Sequence, residues 1–232
     1  MKNFRENFHK RMPGAIALGF CIVIGLASPN GDIFRVLYVM ACAFAVLELL
    51  SFQTAFITNE HSTTLAVEYA ILACSIWYVC AASVADIVAL LAGVILADAG
   101  AYFAGHLLGG RIFKKKPFPR VSPNKTWEGI FGGLIISTAG MAALWLIYGA
   151  DFDPIFFCCA PCAILGDALE SYLKRLFCIK DSCELVESRP YQIVCEAFLG
   201  GKGGHGGFLD RLDSTMFTAT CFCFLQSTFT HL

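Results

Sequence analysis

Seven predominantly apolar stretches of roughly 20 residues divide this chain, and that length is what a helix needs to cross the hydrocarbon core of a bilayer. They run from about 13 to 29, 33 to 51, 63 to 84, 87 to 108, 129 to 149, 154 to 176 and 214 to 231. In lipid every backbone polar group must be satisfied within the chain, so helices are the economical solution for such segments. The expectation is an all-α polytopic membrane protein with about seven transmembrane helices. Composition agrees, with 57% hydrophobic and 15% charged residues, outside the balance of a soluble domain. The first stretch is short and follows Lys2, Arg5, Lys10 and Arg11, so a signal peptide ending near Ala27 is the alternative there. Either version leaves Ser28 outside.

Orientation follows from the cations. If the N-terminus is cytoplasmic, the tail and the even-numbered loops hold 16 of the 17 Lys and Arg residues, and only Arg35 falls on the other side. The odd loops carry Asp32, Asp86, Asp151 and Asp153 instead. The topology expected is therefore N-terminus in and C-terminus out, with the polar loops on one face. Basic loops at a membrane surface suit anionic lipid headgroups or phosphorylated substrates. For Lys114, Lys115 and Lys116 a purely orienting role is the other reading. No soluble basic domain exists to hold nucleic acid, so none is expected as a partner.

Twelve cysteines raise the question of a disulfide framework or a metal site. Most lie inside the apolar spans, where a thiol behaves as a small hydrophobe. Cys159 and Cys162 form a CxxC, but no second pair with zinc spacing accompanies them. Cys178, Cys183 and Cys195 fall on the reducing side and need no partners.

Ionisable residues within spans are costly and therefore informative. Glu48 and Glu68 have no motif around them, and helix packing or an interfacial position explains both. Asp98 lies in DAGAYFAGHLLGGR, where Asp98, Tyr102 and Gly105 share a helical face and small residues permit close helix approach. The sixth span ends GDALESYLKR, which as a helix aligns Asp167, Glu170, Ser171, Lys174 and Arg175 in one stripe rising to the cytoplasmic surface.

Residues 200–213 read GGKGGHGGFLDRLD, a glycine-rich loop around His205 followed by Asp210, Arg211 and Asp213. The glycines let backbone N–H groups approach an anion. The two aspartates, three residues apart, complement a helix dipole, and with Asp167 they also supply the hard oxygen ligands that Mg²⁺ prefers. Gly201, Gly203 and Gly206 make a formal GxGxxG, but no strand precedes it, which rejects a dinucleotide-binding unit. Between the fourth and fifth spans, SPNKTWEG offers Ser122 and Pro123 for a turn, Lys125 and Thr126 as phosphate partners and Trp127 as an interfacial anchor. Taken alone it is equally a helix entrance.

Together these segments resemble the phosphatidate cytidylyltransferase (CDP-diacylglycerol synthase) family. The family's signature, S-x-x-K-R-x4-K-D followed by G-H-G-G-x-x-D-R-x-D, is met by Ser171, Lys174, Arg175, Lys180, Asp181, Gly204, His205, Gly206, Gly207, Asp210, Arg211 and Asp213. The likeness covers roughly residues 85 to 215. Two departures stand out: 23 residues separate Asp181 from His205, more than the family pattern has, and Gly203 replaces the Pro usual before the GHGG. The additional residues 182–202 read as a cytoplasmic loop enlargement. The chain is also short for the family, as if one or two N-terminal spans were absent.

The resemblance implies transfer of a cytidylyl group from CTP to phosphatidic acid, Mg²⁺-dependent, in phospholipid synthesis at a bacterial inner membrane, with the active site facing the cytoplasm. Residues 1–84 would be N-terminal transmembrane helices, and 85–232 the catalytic transmembrane domain with cytoplasmic loops 109–128 and 177–209. Asp167, Asp210 and Asp213 would hold the metal, with Lys174, Arg175 and Arg211 neutralising phosphate charge. Ser171 and the backbone at Gly206 and Gly207 would donate hydrogen bonds. Ser122, Lys125 and Thr126 would bind a phosphate of either substrate, Asp98 would line the polar cavity, and His205 would contact nucleotide or pyrophosphate. Membrane lipids are expected partners, and the resemblance also implies a homodimer. A CTP-dependent polyprenol-type lipid kinase and an ion-coupled transporter are the rival readings.

Overall fold

A computed structural model describes residues 19–55, 59–149, 152–186, 188–199 and 206–229. Residues 19–27 are helical. After a 3₁₀ turn at Pro29–Gly31, the chain runs through α1 (Asp32–Ala55), α2 (Asn59–Ala81), α3 (Val84–Leu108), α4 (Trp127–Tyr148), α5 (Cys159–Leu176), α6 (Arg189–Leu199) and α7 (Leu209–Phe229). No strand occurs among the described residues, and the chain is an all-α polytopic membrane protein.

Among the described residues five helical segments are long and apolar enough to cross a membrane: Pro29–Ala55, Ser62–Ala81, Val84–Leu108, Trp127–Tyr148 and Pro154–Leu176. They coincide with five of the seven expected spans. Of the first expected span, 13–29, residues 13–18 lie outside the described residues and 19–27 are helical. The last corresponds to α7, a 21-residue helix opening Leu-Asp-Arg-Leu-Asp, which is not among the five.

Local chemistry sets the helix starts. Ser83 caps α3, its Oγ accepting from Asp86 N at 3.2 Å while the Asp86 carboxylate returns to Ser83 N. Thr126 caps α4 by accepting from Gly129 N at 3.1 Å. The stretch 177–209, expected as loop, is partly helical: it contains a 3₁₀ turn at Ser182–Leu185 and then α6. The reason is a small apolar face, since Tyr191 and Cys195, one helical turn apart, are both buried.

The chain forms two compact units that do not follow chain order. One comprises the residues up to Tyr69 with Lys174–Leu212, the other Ala70–Leu173 with the residues from Asp213 onward. In the first, α1 buries Phe34, Tyr38, Cys42, Ala45, Leu49 and Phe52, a stripe at three- and four-residue spacing. Phe52 stacks on Phe177 with ring centroids 5.3 Å apart. Cys183, Val186, Tyr191 and Cys195 form a second cluster with Phe44 and Phe208.

In the second unit α3 and α4 pack backbone to backbone. A Cβ on Gly100 would stand 2.6 Å from Gly132 O, and one on Gly133 would stand 2.7 Å from Ala97 O. Small residues are what such an approach requires in lipid, where van der Waals contact rather than water exclusion drives association. Ser137 Oγ adds a buried hydrogen bond to Gly93 O at 2.9 Å. The outward side of α4 exposes Ile135, Leu146 and Ile147, as a hydrocarbon solvent allows.

Candidate active site

In the α3–α4–α5 unit, Lys125 and Asp167 meet. Lys125 lies in the turn before α4, closed by its own N–H donating to Ser122 O at 3.2 Å. Its Nζ stands 2.9 Å from Asp167 Oδ2. That ammonium nitrogen is buried, and its contact with Asp167 is an ion pair without an aligned hydrogen bond, which leaves Lys125 with N–H donors to spare. The other Asp167 oxygen accepts from Ser171 Oγ at 3.3 Å, one turn along α5. Asp98, exposed on α3, lies within the field of both Asp167 and Lys125.

Other residues of this unit have narrower roles than their chemistry alone suggests. The Thr126 hydroxyl is used as the α4 cap. Ser122 serves the turn through its backbone. Glu128 Oε1 accepts from Ile112 N at 3.0 Å and Phe113 N at 2.9 Å, tying the basic loop to the first turn of α4. Asp213 sits where α7 touches α5, for a Cβ on Gly166 would come within 2.8 Å of Asp213 O. The residue following Gly166 is Asp167, so close contact there brings Asp213 alongside the start of the acidic stripe.

In the other unit, Lys174 and Asp210 form a second ion pair, with Nζ donating to Oδ1. Asp210 Oδ2 is fully engaged: it accepts from Ser182 N at 2.9 Å, Ser182 Oγ at 2.8 Å and Gly207 N at 2.6 Å. The turn that feeds α7 requires glycine. Gly206 has φ of 75°, and a Cβ there would lie 2.8 Å from Asp210 Cγ. The Gly207 N–H expected to meet a substrate anion thus meets a carboxylate of the chain itself. Arg175 and Arg211 are exposed, with an Arg175 guanidinium N–H donating to Ile179 O at 3.1 Å. His205, with Gly201, Lys202, Gly203 and Gly204, lies outside the described residues.

Glu48 is the residue whose place the sequence did not reveal. Helix packing, one of the two explanations its sequence context suggested, places it but not its partners: it is completely buried in the apolar stripe of α1, against α6 and the start of α7. It accepts from Tyr191 OH, from Phe208 N at 2.7 Å and from Leu209 N at 2.9 Å. Three donors converge on it, as a buried carboxyl group requires. Its signal in the sequence was its cost, a charge inside an apolar run. Burial and the neighbouring Glu48 carboxylate push the Tyr191 hydroxyl well above its ordinary range, so it stays protonated and donates. Burial likewise pushes the Cys183 thiol up to about 12.

Among the described residues no group of three or more His, Cys, Asp or Glu side chains is gathered as a metal ion would need. What the two units hold are lysine–carboxylate pairs beside hydroxyl and backbone donors, chemistry suited to phosphate.

Comparison with known proteins meets this arrangement. The chain is 39% identical over 137 residues to a phosphatidate cytidylyltransferase of Helicobacter pylori, covering 57% of this chain and 44% of that protein. It is 34% identical over 137 residues to a phosphatidate cytidylyltransferase of Bacillus subtilis, with the same coverage, and 36% identical over 129 residues to one of Haemophilus influenzae, covering 51% of this chain and 37% of the relative. The chain spans less than half the length of the curated relatives it matches. The pattern of the Cytidylyltransferase family itself matches residues 2–189, which contain Lys125, its partner Asp167 and the Ser171–Lys174 stripe, and the chain belongs to that family.

Proposed function

We propose that this chain transfers a cytidylyl group from CTP to phosphatidate, releasing pyrophosphate and forming CDP-diacylglycerol, at the cytoplasmic face of a bacterial inner membrane. The observation that carries this reading is Lys125: a buried ammonium, 2.9 Å from a carboxylate, with no aligned hydrogen bond. Donors held out of water and left unspent suit the dense charge of a phosphate. Family membership and the names of the matched relatives support the same reaction class.

A phosphate oxygen of phosphatidate attacks the α-phosphorus of CTP, and the bond from that phosphorus to the oxygen bridging it to the β-phosphate breaks. Phosphoryl chemistry of this kind depends on positioning and charge neutralisation more than on covalent assistance. Lys125 takes a phosphate of either substrate. Lys174, Arg175 and Arg211 neutralise charge, and Ser171 donates a hydrogen bond. Asp98 keeps its cavity polar, and His205 contacts nucleotide or pyrophosphate. The acyl chains remain in the bilayer while the headgroup meets CTP at the aqueous boundary. A homodimer belongs to the same proposal.

Mg²⁺ is the proposed cofactor, and when bound it supplies Lewis-acid stabilisation of phosphate oxygens. The donor chemistry fits a hard cation. Asp167 is 39% exposed in its side chain, its oxygens facing Lys125 and Ser171, and Asp213 adds a carboxylate in the same unit. In the other unit both Asp210 oxygens are engaged, Oδ1 by Lys174 Nζ and Oδ2 by three donors, so a cation there would take the place of the Lys174 ammonium.

Incubating the purified protein with CTP, phosphatidate and Mg²⁺ should yield CDP-diacylglycerol and pyrophosphate. Asp210→Asn should abolish pyrophosphate release while the protein still inserts; retained activity removes Asp210 from the machinery. Release of CDP instead of pyrophosphate would identify a lipid kinase, and ion flux without CTP turnover a transporter.

A further inference from the structure

We propose that Glu48 is a positioning residue for the turn that presents Asp210, and that Tyr191 of α6 braces it. The first turn of a helix leaves backbone N–H groups without intrahelical partners. At the start of α7 three successive donors of this kind are divided between two carboxylates. Gly207 N donates to Asp210, whereas Phe208 N and Leu209 N donate to Glu48 at 2.7 and 2.9 Å. Glu48 comes from α1, some 160 residues earlier, so the turn is held from outside its own helix.

There is no slack in this arrangement. A Cβ at Gly207 would collide with both Glu48 Oε1 and Ser182 Oγ. Ser182 lies between the carboxylates and bonds with each, although its single hydroxyl proton serves one at a time. Tyr191 closes the far side of Glu48. Phe44, Phe208 and Tyr191 then pack around the site, with Phe44 and Phe208 stacked at 4.8 Å. Tyr191 belongs to the stretch by which this chain exceeds the pattern it resembles. Through Ser182 and Tyr191 that stretch contributes to the scaffold of the turn.

In its consequence for catalysis the inference rests on the cytidylyl-transfer reading, but its geometry is tested without substrate. Hydrogen–deuterium exchange of the full-length protein in detergent micelles, read on peptides covering residues 206–212, is the experiment. Glu48→Gln keeps the volume but turns an amide donor toward backbone donors. Exchange in that peptide should rise roughly tenfold, with a smaller rise in Tyr191→Phe, while peptides from α3 and α4 stay unchanged. In the same Glu48→Gln preparation, kcat for pyrophosphate release should fall roughly tenfold or more with KM for CTP little altered. Unchanged exchange at 206–212, or an equal rise throughout the protein, overturns the proposal. If Glu48→Gln does not accumulate, Tyr191→Phe decides by the same local readout. A wild-type protein inactive on CTP and phosphatidate would sink the functional reading and leave the exchange result to decide the role of Glu48.

Discussion

Two lysine–aspartate pairs carry the proposed chemistry, and burial makes them unlike. The Lys174 and Asp210 side chains are 14% and 11% exposed, so removing either strands a buried charge, at a cost of about 3–5 kcal/mol. Asp167 is 39% exposed, and Lys125 makes no aligned hydrogen bond to it, so that pair contributes little stability. Lys125→Met should therefore lower pyrophosphate release by about 100-fold or more while shifting the thermal unfolding midpoint little, the two being measured on one preparation. Asp98, Lys125, Asp167, Lys174 and Asp210 were all legible in the sequence because polar side chains are conspicuous beside apolar spans. Their pairing was legible only where they share a helix, as for Asp167 and Ser171. Glu48 was not, because its partners lie 143 to 161 residues away and no local spacing encodes such a contact.

At the scale of elements, helix starts were written in short-range chemistry, in Ser83 with Asp86 and in Thr126. The helical content of 182–199 was harder to see, because Tyr191 and Cys195 supply only one apolar turn among Glu, Arg and Pro. The α3–α4 contact was foreshadowed by small residues around Asp98, although which carbonyls they meet depends on helix rotation. Gly133→Leu tests that contact. Its side chain would enter where the Ala97 carbonyl stands 2.7 Å from the Cβ position, and no flexible neighbour can yield. A loss of about 3 kcal/mol is expected, read as a lowered unfolding midpoint in detergent.

For the molecule as a whole, the distribution of charge matters more than its sum. Net charge is −1, yet the proposed topology puts 16 of 17 basic side chains on one side of the bilayer. Exposed Cys178 offers a native probe of that arrangement. A membrane-impermeant maleimide should label it in inverted vesicles and spare it in right-side-out ones, as read by peptide mass spectrometry. Cys183 should stay unlabelled in both at neutral pH. Its thiol titrates at about 12, so the reactive thiolate accumulates only as pH rises toward that value, and the group is buried besides. The glycine contact between α3 and α4 also has a mechanical meaning. With backbone against backbone at Gly100 and Gly133, no layer of rotatable side chains separates the helices there. Sliding one along the other would mean breaking several close contacts together. The pair acts as a beam, with Asp98 mounted on one rail and Lys125 just ahead of the other. The spacing of those two charges is therefore built in before any ligand arrives.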